Sequence, residues 1–257
     1  MTMQINGVPL HYEQFGTGER HILMLHGWGC SWSHFEPIIR SMQDDYSITA
    51  IDFPAHGSSG RPPEPWGVAD FADCIKQFIM QTGIAPCDII AHSFGGRVAL
   101  YLAAGSPELV RRLVLTGCAG LKPPPDPGRQ KRAKRYRMMK KIYQSIGKVK
   151  FLKSFADKSV SALRQKYGSS DYNALDDEMK KTFVKVVSED LSPLLPRIQA
   201  STLLVWGEKD TETPLWMGQK MEKDIPDAGL VIFEGDDHFA YLHQWSRFVA
   251  IVRTFLT

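Results

Sequence analysis

The stretch Ala91-His92-Ser93-Phe94-Gly95-Gly96 joins a short, mostly apolar run at residues 87–91 to a helix of small residues from Phe94 to Ala104. A run of that length and character suits a strand buried on both faces of a sheet. A sharp turn from strand to helix presents a serine oxygen clear of its neighbours. It needs small residues two before and two after the serine, because the backbone is crowded there. Ala91 and Gly95 occupy those positions. The following helix directs its positive N-terminal end at the serine. A serine that merely caps a helix is the plain alternative. The strand before Ser93 and the helix after it favour a nucleophile.

The same alternation extends outward. Residues 4–12 read as a hairpin turning at Asn6-Gly7. Residues 21–25 and 46–52 are strands, the second ending at Asp52. Residues 68–82 place Val68, Phe71, Ile75, Phe78 and Ile79 at helical spacing. Residues 110–116 are another strand. This rhythm argues for a parallel sheet with helices on both faces. It stops over residues 120–190, which hold Pro123-Pro124-Pro125 and a series of helical patterns without a strand. It resumes with a strand at 202–206, a helix near 214–224, a strand at 230–233 and a closing helix from about 239 to 256. The expected organisation is an α/β core, residues 1–119 and 191–257, interrupted by a helical insertion at 120–190.

A serine hydroxyl needs an adjacent base at neutral pH. Of the eight histidines, His238 follows the 230–233 strand and the Glu234-Gly235-Asp236-Asp237 loop. That address puts it at a strand's C-terminal end, the same edge as Ser93. His243 is expected within the closing helix, and His11 and His21 lie near the hairpin. His26 and His92 flank Gly27 and Ser93 and are read as loop supports.

At these residues the chain resembles the α/β-hydrolase family, over the whole predicted core. The elbow departs from the family's Gly-x-Ser-x-Gly only at Ala91. The resemblance implies the α/β-hydrolase fold, a mostly parallel central sheet flanked by helices with an inserted helical lid. It also implies the chain order serine, acid, histidine. Asp210, at the end of Trp206-Gly207-Glu208-Lys209-Asp210, resembles the family acid, with Glu208, Asp236 and Asp237 as rivals. His26-Gly27-Trp28-Gly29 resembles the loop that supplies an oxyanion hole. By position the donors are the backbone N–H groups of Trp28 and Phe94. Asp52-Phe53-Pro54-Ala55-His56-Gly57-Ser58-Ser59 resembles a family loop with Ala55 where glycine is usual, and is read as structural support.

The 257 residues carry a net charge of only +3, but it is unevenly spread. Between Lys122 and Lys166 stand 15 Lys or Arg and only two acids, Asp126 and Asp157, so this segment carries +13 against −10 elsewhere. Its densest part, Arg129 to Lys141, has the spacing of a basic amphipathic helix. Such a lid suits an anionic partner, with Arg132, Arg135 and Tyr136 as candidate contacts. That partner is a carboxylate-bearing ester, an acidic carrier protein or an anionic membrane surface. In the family, pimeloyl-acyl carrier protein methyl esterases use a basic lid in this way, a resemblance of architecture only. A solvated face with no specific part is the competing reading.

Several classes are disfavoured. No apolar run reaches the ~20 residues of a membrane-spanning helix. The start, Met1 to Gly7, has no secretory pattern, and the expected location is cytoplasmic. Cys30, Cys74, Cys87 and Cys118 are scattered and read as reduced, buried thiols. No nucleic-acid motif accompanies the basic segment. No metal or organic cofactor is implied. Haloalkane dehalogenases and epoxide hydrolases place aspartate where Ser93 stands. The expected function is a serine hydrolase acting on a small-molecule carboxylic ester through an acyl-enzyme, favouring anionic or carrier-linked substrates. The alternatives are a carbon–carbon bond hydrolase of diketo acids and a hydrolase-like ligand-binding protein.

Overall fold

The computed structural model describes residues 1–123, 127–146, 159, 172–173 and 175–257. The chain divides into two compact units. Met1–Leu121 with Lys185–Thr257 form the first, and Lys122–Val184 the second.

The first unit is built on an eight-stranded sheet. Its strands are β1 (Thr2–Ile5), β2 (Val8–Phe15), β3 (His21–Leu25), β4 (Ser47–Ile51), β5 (Cys87–His92), β6 (Val110–Thr116), β7 (Ser201–Gly207) and β8 (Ala228–Phe233). Their order is β1-β2-β4-β3-β5-β6-β7-β8. The first two pairings are antiparallel and the remainder parallel. The β1–β2 hairpin turns at Asn6 (φ 50°) and Gly7 (φ 76°), the left-handed pair that matches strand twist. Register brings Leu25 beside Ala91, His92 beside Thr116, and Gly207 beside Phe233. The segments that follow β3, β5, β6, β7 and β8 therefore leave the sheet along one edge, where α/β sheets bind their ligands.

Side-chain alternation divides the core into two layers. Leu23, Leu25, Ile89, Leu113, Leu115, Leu204 and Trp206 face one side. There they meet α2 (Val68–Thr82) and α3 (Phe94–Gly105). Ile22, Met24, Ile90, Val114, Leu203 and Val205 face the other. That side is covered by α1 (Glu36–Met42) and by two helices near the C-terminus (given below). Helix α1, led by a short 3-10 turn at Trp32–Phe35, is an element the sequence reading did not expect.

The second unit contains α4 (Pro127–Ile146), with eight Lys and Arg and no acid. Most of α5 (Asp177–Ser188) also belongs to it. Exposed on α4 is Arg135, and Tyr136 is half-buried. The side chain of Arg132 lies outside the described residues, as do Lys148, Lys150, Lys153, Lys158, Arg164 and Lys166. No helix among the described residues is long and apolar enough to cross a membrane.

After β7 come α6 (Trp216–Asp224) and, beyond β8, α7 (Ala240–His243) and α8 (Trp245–Leu256). The expected single closing helix is thus two, separated at Gln244 (φ −109°, ψ 41°). His243 ends the first of them instead of lying inside a long helix. Of the four thiols expected to be buried, Cys74, Cys87 and Cys118 are, but Cys30 is only half-buried.

The packing of α3 on the sheet depends on two glycines without side chains. A Cβ on Gly95 would lie 2.2 Å from the Leu25 carbonyl oxygen, and one on Gly96 would lie 2.4 Å from Cys118 Sγ. At position 95 propensity and packing oppose one another. Alanine is better than glycine in a helix by about 1 kcal/mol, whereas forcing a methyl against a β3 carbonyl costs roughly 1–3 kcal/mol or more. Gly95→Ala is therefore expected to lower the midpoint of urea unfolding. An unchanged or raised midpoint would show that α3 does not approach β3 this closely.

Candidate active site

Ser93 stands between β5 and α3 with φ 51° and ψ −109°, a conformation that L-residues rarely adopt. The turn is held from three directions. Ser93 N–H donates to the Thr116 carbonyl (3.1 Å), and its own carbonyl accepts the N–H groups of Arg97 (3.3 Å) and Ala119 (3.1 Å). The neighbouring strand β6 and helix α3 thereby fix the backbone, leaving the side chain to point away. Ala91, where the family pattern has glycine, is fully buried in the layer beneath α3 and is accommodated there.

Three sequence-predicted residues come together here. His238 Nε2 lies 3.0 Å from Ser93 Oγ, and His238 Nδ1 lies 2.8 Å from Asp210 Oδ2. The carboxylate can only accept, so Nδ1 carries the proton and the Nε2 lone pair faces the serine hydroxyl. An imidazole held in this tautomer can take the serine proton and be stabilised as imidazolium. Asp210 is buried, and its other oxygen, Oδ1, accepts the N–H groups of Glu212 (2.9 Å) and Thr213 (2.8 Å). The rival acids are engaged elsewhere. Glu208 accepts from Gly235 N–H, Asp236 from His243 and Gln244, and Asp237 from Phe239 N–H.

Trp28 and Phe94, whose backbone N–H groups are the expected donors, are neighbours through their side chains. Their rings meet edge to face at 5.2 Å. Phe94 is the first residue of α3, so its N–H belongs to the turn that has no intrahelical acceptor. The Phe94 ring is pinned by Phe53 (4.9 Å) and Phe71 (5.0 Å). Arg132, Arg135 and Tyr136 belong to the second unit.

The supporting loops are held by buried polar groups. His26 Nδ1–H donates to the Gly27 carbonyl (2.7 Å), and Nε2 accepts Phe53 N–H (3.0 Å). One ring thus ties the loop after β3 to the loop after β4. Asp52 accepts the N–H groups of Trp32 (2.9 Å) and Ser58 (2.8 Å), and its carbonyl accepts the Ser59 hydroxyl (2.6 Å). Ala55, where glycine is usual, sits at φ 67°, which accounts for the family's preference at that position.

One feature escaped the sequence reading. Thr213, buried, places its hydroxyl 2.8 Å from Asp210 Oδ2, 2.9 Å from the Gly117 carbonyl and 3.2 Å from His238 Nδ1. The signal that could have found it is Asp210-x-x-Thr213, in which the aspartate takes the N–H of the residue three ahead, as in a helix cap. His92, expected as a loop support, is the last residue of β5, and its ring packs 4.6 Å from that of His238. Its Nδ1–H donates to the Thr116 carbonyl (3.1 Å).

Burial keeps the surrounding imidazoles neutral. It pushes His26 down to about 3, with His56 adding to the effect, and pushes His92 well below the ordinary histidine value, with His238 adding to it. His56 is lowered too, again mainly by burial. In the unfolded chain these groups titrate near 6.5. Between that value and the depressed ones the unfolded state binds more protons, so their stabilising contribution is complete above about pH 6.5 and is lost as pH falls toward 3. His243 acts in the opposite sense, because its hydrogen bond to Asp236 raises it, but it is exposed. The urea midpoint is expected to fall between pH 6.5 and 5, before most carboxylates titrate, and to fall less steeply in His26→Asn. A midpoint flat over that range would contradict buried neutral imidazoles.

The chain is similar to known proteins over most of its length. A profile of the alpha/beta hydrolase family matches residues 22–251. The chain is 28% identical over 248 residues to a pimeloyl-[acyl-carrier protein] methyl ester esterase of Neisseria meningitidis serogroup B, covering 92% of this chain and 93% of the relative. It is 25% identical over 272 residues to a 2-hydroxy-6-oxononadienedioate/2-hydroxy-6-oxononatrienedioate hydrolase of a Pseudomonas species, covering 98% and 93%. Among solved structures, an esterase from Exiguobacterium antarcticum superposes with a TM-score of 0.75 at 20% identity, covering 99% of this chain and 98% of that one, and so shares the fold. With a family match spanning most of its length and this sheet order, the chain belongs to the alpha/beta hydrolase family.

Proposed function

We propose that this protein hydrolyses carboxylic esters through an acyl-enzyme on Ser93. The observation that carries the reading is the continuous relay Asp210–His238–Ser93, with contacts of 2.8 and 3.0 Å at the carboxyl edge of the sheet. His238 Nε2 takes the hydroxyl proton as Ser93 Oγ attacks the ester carbonyl carbon. The carbonyl oxygen becomes an oxyanion, accepted by the backbone N–H groups of Trp28 and Phe94. Donors of this kind contribute roughly 2.7–4 kcal/mol each. The imidazolium then protonates the departing alkoxide, and the alcohol leaves. Water enters, loses its proton to His238 and attacks the acyl carbon. Collapse of this second tetrahedral intermediate returns the proton to Ser93 and releases the acid. Asp210 holds the tautomer throughout.

The finer reading is an anionic or carrier-linked ester. It is supported by the name of the Neisseria relative and by the charge of residues 122–166. On this reading the insertion, residues 120–190, serves as a lid, and Arg132, Arg135 and Tyr136 hold the anionic group. That assignment rests on charge, together with the family architecture. A cytoplasmic location fits a carrier-linked substrate. A second reading, cleavage of a carbon–carbon bond in a diketo acid, is favoured by the Pseudomonas relative, which matches nearly the whole chain. Its substrates would also be anionic.

Two sets of measurements test these statements. Turnover of a simple p-nitrophenyl ester is expected to fall on the order of 10³-fold or more in Ser93→Ala, His238→Ala and Asp210→Asn. A folded variant with near-parental kcat removes that residue from the relay. For the finer reading, kcat/KM is compared between an ester bearing a free carboxylate and a neutral ester of equal size. Attraction to the basic segment is screened over about 8–10 Å at physiological ionic strength. Rising salt should lower the first value and leave the second, and Arg132→Glu with Arg135→Glu should weaken only the first. Equal behaviour of both esters identifies the basic segment as a solvated face. Faster cleavage of a vinylogous diketo acid than of any ester favours the second reading.

A further inference from the structure

The connection after β7 contains a residue with no part in the mechanism above. Thr213 is held by its own backbone: its N–H donates to Asp210 Oδ1 (2.8 Å), and its carbonyl accepts the indole N–H of the fully buried Trp206 (2.6 Å). The turn from Asp210 to Thr213 is therefore fixed without the Thr213 side chain. The hydroxyl is an additional group, buried among three polar atoms.

A hydroxyl has one proton and two lone pairs. The Gly117 carbonyl and the Asp210 carboxylate can only accept, and both lie within reach, at 2.9 and 2.8 Å. His238 Nδ1–H can only donate, and lies 3.2 Å away. Two arrangements result. With the proton turned to Asp210 Oδ2, that oxygen serves two donors, Thr213 and His238. With the proton turned to the Gly117 carbonyl, Oδ2 serves His238 alone, and the hydroxyl oxygen faces Nδ1–H with a lone pair. The second arrangement presents more negative potential to an imidazolium. Gly117 makes it possible: its N–H is anchored to the Val205 carbonyl (3.1 Å), and at φ 50° a Cβ there would come within 3.1 Å of His238 Nδ1.

We propose that Thr213 is a positioning residue for the reaction, its hydroxyl turning from Asp210 to the Gly117 carbonyl as His238 becomes charged. The proposal rests on the ester hydrolase reading above. It assigns Thr213 no contact with substrate, so its effect falls on kcat and not on KM. No bond is made or broken by Thr213; one hydrogen bond is exchanged for another.

The test uses Thr213→Val, which keeps the shape and removes the hydroxyl, and Thr213→Ser, which restores it, with p-nitrophenyl acetate as substrate. Thr213→Val should lose about 10- to 100-fold in kcat with KM within roughly twofold. Thr213→Ser should return to within about threefold of the parent. In an Asp210→Asn background, Thr213→Val should cost little more, because both act through His238. Thr213→Ala, which also keeps the backbone contacts, replaces the valine variant if that one does not fold. Parental kcat in the valine or alanine variant overturns the proposal. So does an equal loss in Thr213→Ser, or a full multiplicative loss in the Asp210→Asn background. Ser93→Ala is run alongside. If it retains turnover, the ester hydrolase reading itself fails; if it is inactive while Thr213→Val is parental, only the role of Thr213 fails.

Discussion

A backbone at φ 51° and ψ −109° on a residue with a side chain costs on the order of 1–3 kcal/mol. At Ser93 the surrounding packing sustains it. The serine's N–H and carbonyl are bound to β6, to the segment just after it and to α3, and α3 can approach β3 and Cys118 only because Gly95 and Gly96 lack side chains. The strain is therefore set by the sheet and not by the site. Every other functional group is measured from this turn: β3 and β6 flank β5, and β7 and β8 continue the row. Parallel pairing makes their carboxyl ends coincide, so residues 26–28, 117, 210 and 238 converge though they are far apart in sequence.

The electrostatic arrangement follows the same economy. Three buried imidazoles, His26, His56 and His92, surround the relay, and burial holds all three neutral. His26 ties the loop after β3 to the loop after β4, His56 bonds the Pro54 carbonyl within its own loop, and His92 bonds the Thr116 carbonyl at the end of β6. Unlike His26, His56 and His92, which bond backbone groups, His238 is hydrogen-bonded to a buried carboxylate. It is consequently the ring at which a positive charge is supported, next to the hydroxyl that would release the proton. Thr213 adds an adjustable donor beside the same nitrogen.

Much of this was legible in the sequence because the deciding signals were local. The runs 21–25, 87–91 and 202–206 are apolar because the strands are covered on both faces. Ser93 was marked by the small residues around it, and His238 by its place after a strand. Asp210 was only ranked above Glu208, Asp236 and Asp237, since all four follow strands; the turn that sends the others to Gly235 N–H, His243 and Phe239 N–H separates them. Thr213 was missed because its importance lies in proximity to Gly117, 96 residues away. Helix α1 was missed because it is short and begins in a 3-10 turn. The break at Gln244 was missed because the apolar residues on either side continue a helical pattern, while the backbone turn there is set by packing of Tyr241 and Phe248 under the sheet.

The central claim is that Ser93 Oγ attacks the acyl carbon, and covalent capture tests it most directly. A fluorophosphonate reacts irreversibly with a serine whose proton is being withdrawn, and peptide mapping by mass spectrometry then locates the phosphonyl group. One equivalent should bind per chain, on the peptide carrying His92-Ser93-Phe94, and none after prior replacement of Ser93 by alanine. Label on any other residue, or label that persists in the alanine variant, would contradict it.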